Sequence, residues 1–332
     1  MKTKIAFFDA KPYDEVSFRE KNQQHGFEIK FYKSHLSKDN AILTKGADVV
    51  CIFVNAEVDA EVIDILVENG VKLIALRSAG YNNVDLKAAK GKIKVVRVPA
   101  YSPHSIAEHT IALMLTLNRK IHKAYSRTRD GNFALEGLMG FEMNGKTAGI
   151  IGTGKIGKIV IQILKSMGMN VLAYDLYPDM QFAENNDIRY TQLDELYRLS
   201  DVISLHCPLT KETEYLINEE SIKKMKNGVM IINTGRGKLI KTKALIDGLK
   251  SKKIGYAGLD VYEEEGDYFY EDHSDIVIDD DILARLLTFN NVIVTSHQAF
   301  FTKEALSEIA RITLQNIQDF VDGKPLVNEI SA

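Results

Sequence analysis

The stretch TAGIIGTGKIGKIVIQILKSMGMNVLAYD, residues 147–175, constrains the fold more than any other part of the chain. It reads as an apolar strand, a turn carrying Gly152, Gly154 and Gly157, an amphipathic helix, and a second apolar strand ending in Asp175. A strand–helix–strand unit of this length calls for a parallel sheet covered by helices. The glycine spacing adds chemistry to that geometry. Gly152 permits a tight turn, Gly154 lets backbone approach a pyrophosphate at the helix N-terminus, and Gly157 allows close helix–strand packing. Lys155 and Ile156 lie in the same turn, where free N–H groups and the helix dipole favour an anion. Asp175 is placed to accept hydrogen bonds from an adenosine ribose and to repel a 2′-phosphate. Leu176, Tyr177, Pro178 and Asp179 offer no arginine to receive one. This half of the chain is expected to bind a dinucleotide, with NAD favoured over NADP.

The same alternation runs through the rest of the sequence. KIAFFDA, FEIKFY, DVVCIFV, KLIALRS and KVVRVP read as strands in the first hundred residues, with an amphipathic helix before Gly70. KTAGIIG, NVLAYD, DVISLHCP, GVMIINTG, IGYAGLDV and NVIVTSH form a second series. Between them, YSPHSIAEHTIALMLTLNRKIHKAY predicts one helix of well over twenty residues, with Ser102 as N-cap and Pro103 at its first position. Its two apolar faces fit either a core helix joining two domains or a contact with another subunit. The last amphipathic stretch, TKEALSEIARITLQNIQDFVDG, is expected to pack back on the first series. The 332 residues exceed what one core holds, so the fold class is α/β with two domains and crossovers near residues 100 and 300.

Charge and cysteine usage exclude other classes. A net charge of -3 offers no basic excess for nucleic acid or an anionic membrane. Cys51 and Cys207 lie in strand-like runs without metal-ligand spacing, as expected of reduced thiols in a cytoplasmic protein, and no metal site is expected. No apolar run approaches the roughly 20 residues that span a bilayer.

In an open α/β sheet, ligands bind outside the carboxyl ends of the strands. The polar residues at such positions in the second series are His206 and Cys207, Thr234 to Arg236, Asp260, and His297. Arg236 is a permanent charge at the end of a core strand, between Gly235 and Gly237. It demands an anion, either a substrate carboxylate held by paired hydrogen bonds or a neighbouring acid in a structural ion pair. The flanking glycines are expected to let the backbone bend closely. Of the eight histidines, His297 is the best placed to deliver a proton, provided a carboxylate holds it. Glu263, Glu264 and Glu265 are all candidates, and local sequence does not choose among them.

Taken together, these residues resemble the D-2-hydroxyacid dehydrogenase family. The resemblance runs through RSAGYNNVDL, VPAYSPHSIAEH, GKTAGIIGTGKIG, DVISLHCPLT, MKNGVMIINTGRG, LDVYEEEGDYFYED and SHQAF, in that order over essentially the whole chain. It implies two doubly wound parallel-sheet domains. One is a flavodoxin-like substrate domain of residues 1–100 and 300–332, and the other a Rossmann NAD-binding domain of residues 101–299. It also implies reversible NADH-dependent reduction of a 2-oxo acid. The aromatic, acidic loop after Asp260 and the HQAF sequence point towards pyruvate and the fermentative D-lactate branch. Glyoxylate, hydroxypyruvate or a branched 2-oxo acid is the alternative substrate, and an NAD-sensing protein-binding scaffold is a remote second reading.

Residue by residue, the resemblance assigns Arg236 to the substrate carboxylate and carbonyl, His297 to acid–base catalysis, and Glu265 to the carboxylate paired with it. Ser78, Ala79 and Gly80 match the loop that holds the substrate carboxylate, and Tyr101 and Phe300 match pocket residues. On the cofactor side, Gly152, Gly154, Lys155, Ile156, Gly157, Asp175, Cys207, Pro208, Thr213, Thr234, Gly235 and Asp260 match positions around the dinucleotide. Two positions depart from the pattern: Gly235 stands where alanine or serine is more usual, and Ser296 where many relatives have proline. A homodimer or homotetramer is expected.

Overall fold

The computed structural model describes residues 2–264, 268–270 and 272–332. The chain divides into two compact units, Met1–Ser102 with Phe301–Ala332, and Pro103–Phe300.

In the first unit, strands β1 (Lys4–Phe7), β2 (Glu28–Phe31), β3 (Val49–Ile52), β4 (Leu73–Leu76) and β5 (Lys94–Val96) alternate with helices α1 (Pro12–Asn22), α2 (Ala60–Glu68) and the short α3 (Leu86–Ala89). All pairings are parallel, in the order β2-β1-β3-β4-β5. This is the flavodoxin-like order, with its switch point between β1 and β3. Alternate residues feed opposite faces, as the two-residue period of a strand requires. Ile5, Phe7, Val49, Cys51, Leu73 and Ala75 pack with Phe18 of α1 and with Ala310, Leu314 and Ile317. Ala6, Val50, Ile52, Ile74 and Leu76 pack with Val62, Ile63 and Leu66 of α2. The residues from 310 to 317 belong to the terminal helix Lys303–Val321 (α12 in chain order), which does return to the first sheet.

The second unit opens with α4 (Pro103–Arg119) and α5 (Ile121–Arg129). Its strands are β6 (Thr147–Ile151), β7 (Asn170–Tyr174), β8 (Arg189–Tyr190), β9 (Val202–Leu205), β10 (Val229–Asn233), β11 (Ile254–Leu259) and β12 (Val292–Val294). They alternate with α6 (Lys155–Ser166), α7 (Met180–Asn186), α8 (Leu193–Leu199), α9 (Glu219–Lys224), α10 (Thr242–Lys250) and α11 (Asp281–Leu287). The sheet runs β12-β11-β10-β9-β6-β7-β8, parallel throughout, so the chain reverses direction between β6 and β9. That is the dinucleotide-binding arrangement, with the crevice at the carboxyl ends of β6 and β9. Helices α4 and α6 cover one face through Leu113, Met114, Leu117, Val160, Ile161 and Leu164. Helices α8, α9 and α10 cover the other through Leu196, Ile222, Leu245 and Leu249.

One expected element is corrected. The single long helix after Pro103 is two helices, broken at Lys120, whose backbone is left-handed (φ 51°). No glycine or proline marks the break. Its cause is distant in sequence: the returning segment 139–141 bonds across the helix end. Asn118 donates to the Phe141 carbonyl (2.7 Å) and accepts from its N–H (2.8 Å), and Lys120 donates to the Met139 carbonyl (2.7 Å). The two-residue strand β8 was also not anticipated from the pattern.

Candidate active site

The glycine turn after β6 has the geometry its spacing implied. Gly152 has φ +95°, and a β-carbon there would lie 2.4 Å from the Cys207 nitrogen and 2.5 Å from the His206 carbonyl carbon. A β-carbon at Gly157 would lie 2.1 Å from the Gly152 oxygen. Both positions therefore exclude any side chain. Gly154 is different: a β-carbon there meets nothing within 4 Å. It is the N-cap of α6, it provides no side-chain cap, and with Lys155 it is exposed. The first N–H groups of this 12-residue helix are thus left for an outside acceptor, which is what a pyrophosphate requires.

Asp175 directly follows β7 and is tied to this turn. One carboxylate oxygen accepts from the Thr153 N–H (2.6 Å) and hydroxyl (2.9 Å), the other from the Tyr177 N–H (2.9 Å). Burial alone would raise its pKa, but these donors outweigh burial and hold it below the usual carboxylate range. The Tyr190 hydroxyl of β8 donates to the Thr153 hydroxyl (2.8 Å) and completes the chain of bonds. Neither Thr153 nor Tyr190 was singled out from sequence.

At the end of β9, the His206 N–H donates to the Ile151 carbonyl (2.7 Å), and its Nε2 contacts the Ser204 hydroxyl (2.9 Å). Desolvation pulls its pKa down to about 4, so the ring is neutral beside the turn. Burial raises the Cys207 thiol to about 11 and the Cys51 thiol to about 12; both cysteines are free and protonated. Thr213 folds the following loop back on itself, donating to the Pro208 carbonyl (2.7 Å) and accepting from the Thr210 N–H (2.7 Å).

Arg236 follows β10 on a turn held by Asn233. The Asn233 amide donates to the Arg236 carbonyl (2.8 Å) and accepts from the Gly235 N–H (3.0 Å). Thr234 is buried against the Thr110 hydroxyl of α4 (2.9 Å). Among the described residues, the guanidinium has one partner, the Gly235 carbonyl (2.7 Å), and no carboxylate in ion-pair range. A structural ion pair with a described acid is thereby excluded. The two flanking glycines turn out to be unequal. A β-carbon at Gly237 would lie 1.8 Å from the Tyr262 oxygen, whereas at Gly235 the nearest atoms are 3.5 Å away, an ordinary contact. The close bend expected at both glycines is required only at Gly237.

Of the three acids, Glu263 is committed elsewhere: its carboxylate accepts from the Thr242 N–H at the start of α10 (2.7 Å) and from Tyr215, whose hydroxyl pKa it helps push up to about 12. Glu264 is exposed. Glu265 lies outside the described residues.

His297 follows β12 with a left-handed backbone (φ 53°), a conformation that costs a residue with a β-carbon about 1–2 kcal/mol. Its N–H donates to the carbonyls of Asp260 (2.8 Å) and Thr295 (3.0 Å), and the Tyr270 hydroxyl donates to its carbonyl (3.3 Å). Asp260, at the end of β11, is wholly buried. Its carboxylate accepts from the Thr295 hydroxyl (2.5 Å) and the N–H groups of Gln298 (2.9 Å) and Ala299 (2.8 Å). The visible work of Asp260 is to hold the turn that carries His297. Phe300, just beyond, is buried.

In the first unit, Ser78, Ala79 and Gly80 follow β4. Their carbonyls are tied down: Val98 N–H donates to Ser78 (3.1 Å), Arg97 to Ala79 (2.7 Å), and the Ser78 hydroxyl to Gly80 (2.8 Å). Their three N–H groups meet no acceptor among the described residues. A loop with satisfied carbonyls and open N–H groups suits an anion. Arg97, which sequence did not single out, also lies over the Tyr81 ring (5.1 Å). Tyr101, at the end of this segment, is half-buried.

Fold and turn define an α/β protein of the dinucleotide-binding class. Comparison with known proteins narrows this further. Residues 111–299 match the family described as D-isomer specific 2-hydroxyacid dehydrogenase, NAD binding domain. The chain is 52% identical to D-lactate dehydrogenase of Escherichia coli K12, over 98% of this chain and 99% of that protein. It is 53% identical to a 2-hydroxyacid dehydrogenase homolog of Haemophilus influenzae, over 98% of each. Among solved structures, the pyruvate reductase of Chlamydomonas reinhardtii superposes with a TM-score of 0.94 at 46% identity, covering 98% of each chain. The chain belongs to the D-isomer specific 2-hydroxyacid dehydrogenase family and is an NAD-dependent oxidoreductase. Among the described residues no helix is long and apolar enough to cross a membrane.

Proposed function

We propose that the chain catalyses the reversible reduction of pyruvate to D-lactate. The observation that carries this reading is the residue set on three neighbouring strand ends, Arg236 after β10, Asp260 after β11 and His297 after β12, on the sheet that bears the phosphate turn. NAD(H), held at the α6 N-terminus and by Asp175, supplies or accepts the hydride. Arg236, with no described carboxylate to neutralise it, is free to grip the substrate carboxylate and to stabilise charge on the carbonyl oxygen. The open N–H groups of Ser78, Ala79 and Gly80 are assigned to the same carboxylate, and Tyr101 and Phe300 to the pocket wall. His297 delivers the proton in reduction and takes it back in oxidation, with Glu265 as its carboxylate partner. Cys207, Pro208, Thr213, Thr234, Gly235 and Asp260 are assigned to the surroundings of the dinucleotide. The 52% identity to a D-lactate dehydrogenase and the likeness to a pyruvate reductase support pyruvate as the substrate.

The assay is NADH oxidation with pyruvate, glyoxylate, hydroxypyruvate and 2-oxoisocaproate, followed by chiral analysis of the product. Fastest turnover with pyruvate and a D product is expected. Preference for another acid moves the substrate and leaves the residue roles intact.

A homodimer or homotetramer in the cytoplasm completes the reading. Helix α5 buries none of its nine residues, and Ile121, Tyr125, Phe133, Leu135 and Met139 are 56–84% exposed. An apolar surface of this kind suits a second copy of the chain. Sedimentation analysis of the purified protein measures the stoichiometry.

A further inference from the structure

We infer that His109, acting through Thr295 and Asp260, is a positioning residue for the catalytic histidine: it braces the left-handed turn that presents His297. This deepens the reading above and rests on His297 being the proton donor.

His109 lies on α4, far from the turn in sequence, yet its Nε2 is 3.2 Å from the Thr295 hydroxyl and 3.4 Å from Asp260 Oδ1. A hydroxyl has one hydrogen. Thr295 gives its own to Asp260 at 2.5 Å, so the 3.2 Å bond must be donated by the imidazole. That fixes the hydrogen on Nε2, from where it also faces the carboxylate. The Asp260 carboxylate is 0% exposed and accepts from three groups, all of them on residues 295–299. The turn is therefore gripped from two sides, by the end of β11 and by α4.

A simple solvated histidine on a helix surface does not account for these contacts. The His109 side chain is only 18% exposed, and its partners are a wholly buried carboxylate and the residue two before His297. Without a donor at this position, the Thr295 lone pair and the buried carboxylate lose a partner. His297 holds a conformation that residues with a β-carbon leave readily, so loss of the brace should misplace its ring without unfolding the sheet.

The test uses the full chain with His109→Leu, His109→Gln, Thr295→Val and, as reference, His297→Gln. For each, NADH affinity by fluorescence, kcat and KM for pyruvate, and the melting temperature are measured. His109→Leu should lower kcat roughly 10- to 100-fold, the scale of a small misplacement of a reacting group. KM and NADH affinity should stay within about two-fold. Thr295→Val should follow it. His109→Gln should recover most of the rate, because its amide Nε2 can donate where the imidazole does. Unchanged kcat in His109→Leu, or a Gln variant as slow as the Leu variant, overturns the brace. So does a loss confined to melting temperature or NADH binding. If His109→Leu does not fold, Thr295→Val decides by the same criteria. A nearly dead His297→Gln beside a fully active His109→Leu removes only the brace. A fully active His297→Gln removes the proton-donor reading and the brace with it.

Discussion

The two sheets each begin with a strand that turns into a helix at a switch point, yet the two turns are built in opposite ways. After β6, the turn is emptied of side chains. Gly152 and Gly157 admit no β-carbon, Gly154 faces open space, and α6 starts uncapped. After β1, the turn is filled. Asp9 is 1% exposed with a left-handed backbone (φ 55°), and Asp14 caps the Lys11 N–H at the start of α1 (3.1 Å). Arg77, 2% exposed, reaches in from the end of β4 and donates to the carbonyls of Phe8 (3.1 Å) and Asp9 (2.6 Å). Its guanidinium lies 3.6 Å from Asp14 and 3.9 Å from Asp9, over the rings of Phe7 and Phe53. Lys11 pairs with Asp9 at 3.2 Å. The same parallel topology thus gives an open, uncapped glycine turn in one place and a closed internal salt cluster in the other. Which it becomes is decided by the few residues of the first turn, not by the sheet.

That contrast can be broken at each turn. Arg77→Leu leaves the buried Asp14 carboxyl without its cation and Asp9 with Lys11 alone, and should destabilise the chain by about 3–5 kcal/mol, read by denaturant unfolding. A loss below about 1 kcal/mol would mean that the cluster is solvated and not a closed core. Gly152→Ala should weaken NADH binding by about 100-fold or more, because its β-carbon must displace the Cys207 backbone and adopt a strained φ. Gly154→Ala should fold normally, since open space surrounds the site, and weaken NADH binding alone. Equal effects of the two substitutions on folding would show that the turn is not divided into packed and open glycines.

The smallest effect concerns pH. The His206 pKa is about 4 in the folded protein against an ordinary 6.5, so between these values the unfolded chain binds a proton that the folded chain does not. His206 therefore costs stability as pH falls from about 6.5 towards about 4, and contributes no pH dependence above that window. The Asp14 carboxyl acts in the opposite sense: burial raises its pKa despite Arg77, so its contribution favours folding as pH falls. Comparing His206→Gln with the parent chain isolates the histidine, and the variant should show a shallower loss of melting temperature across the window.

Much of this architecture was legible from local pattern. The strand series, the glycine turn, Asp175 and the return of the last helix all follow from periodicity and spacing, which act within a few tens of residues. What escaped depends on distant contacts. The bonds of Arg77 span 68 and 69 residues, so in KLIALRS it looks like an ordinary strand-end charge. The break at Lys120 depends on segment 139–141. His109 reads as one polar residue on an amphipathic helix until Thr295, 186 residues on, is folded against it. Gly235 was grouped with Gly237 by symmetry of sequence, and the packing around them is not symmetric.

The most direct test of the central claim is a pair of fluorescence titrations of the purified chain, one with NADH and one with NADPH. An emptied turn closed by an ionised Asp175 predicts that NADH binds at least about ten-fold more tightly, a difference of about 1.4 kcal/mol. Equal affinity for NADPH, or no saturable binding of either, would contradict it.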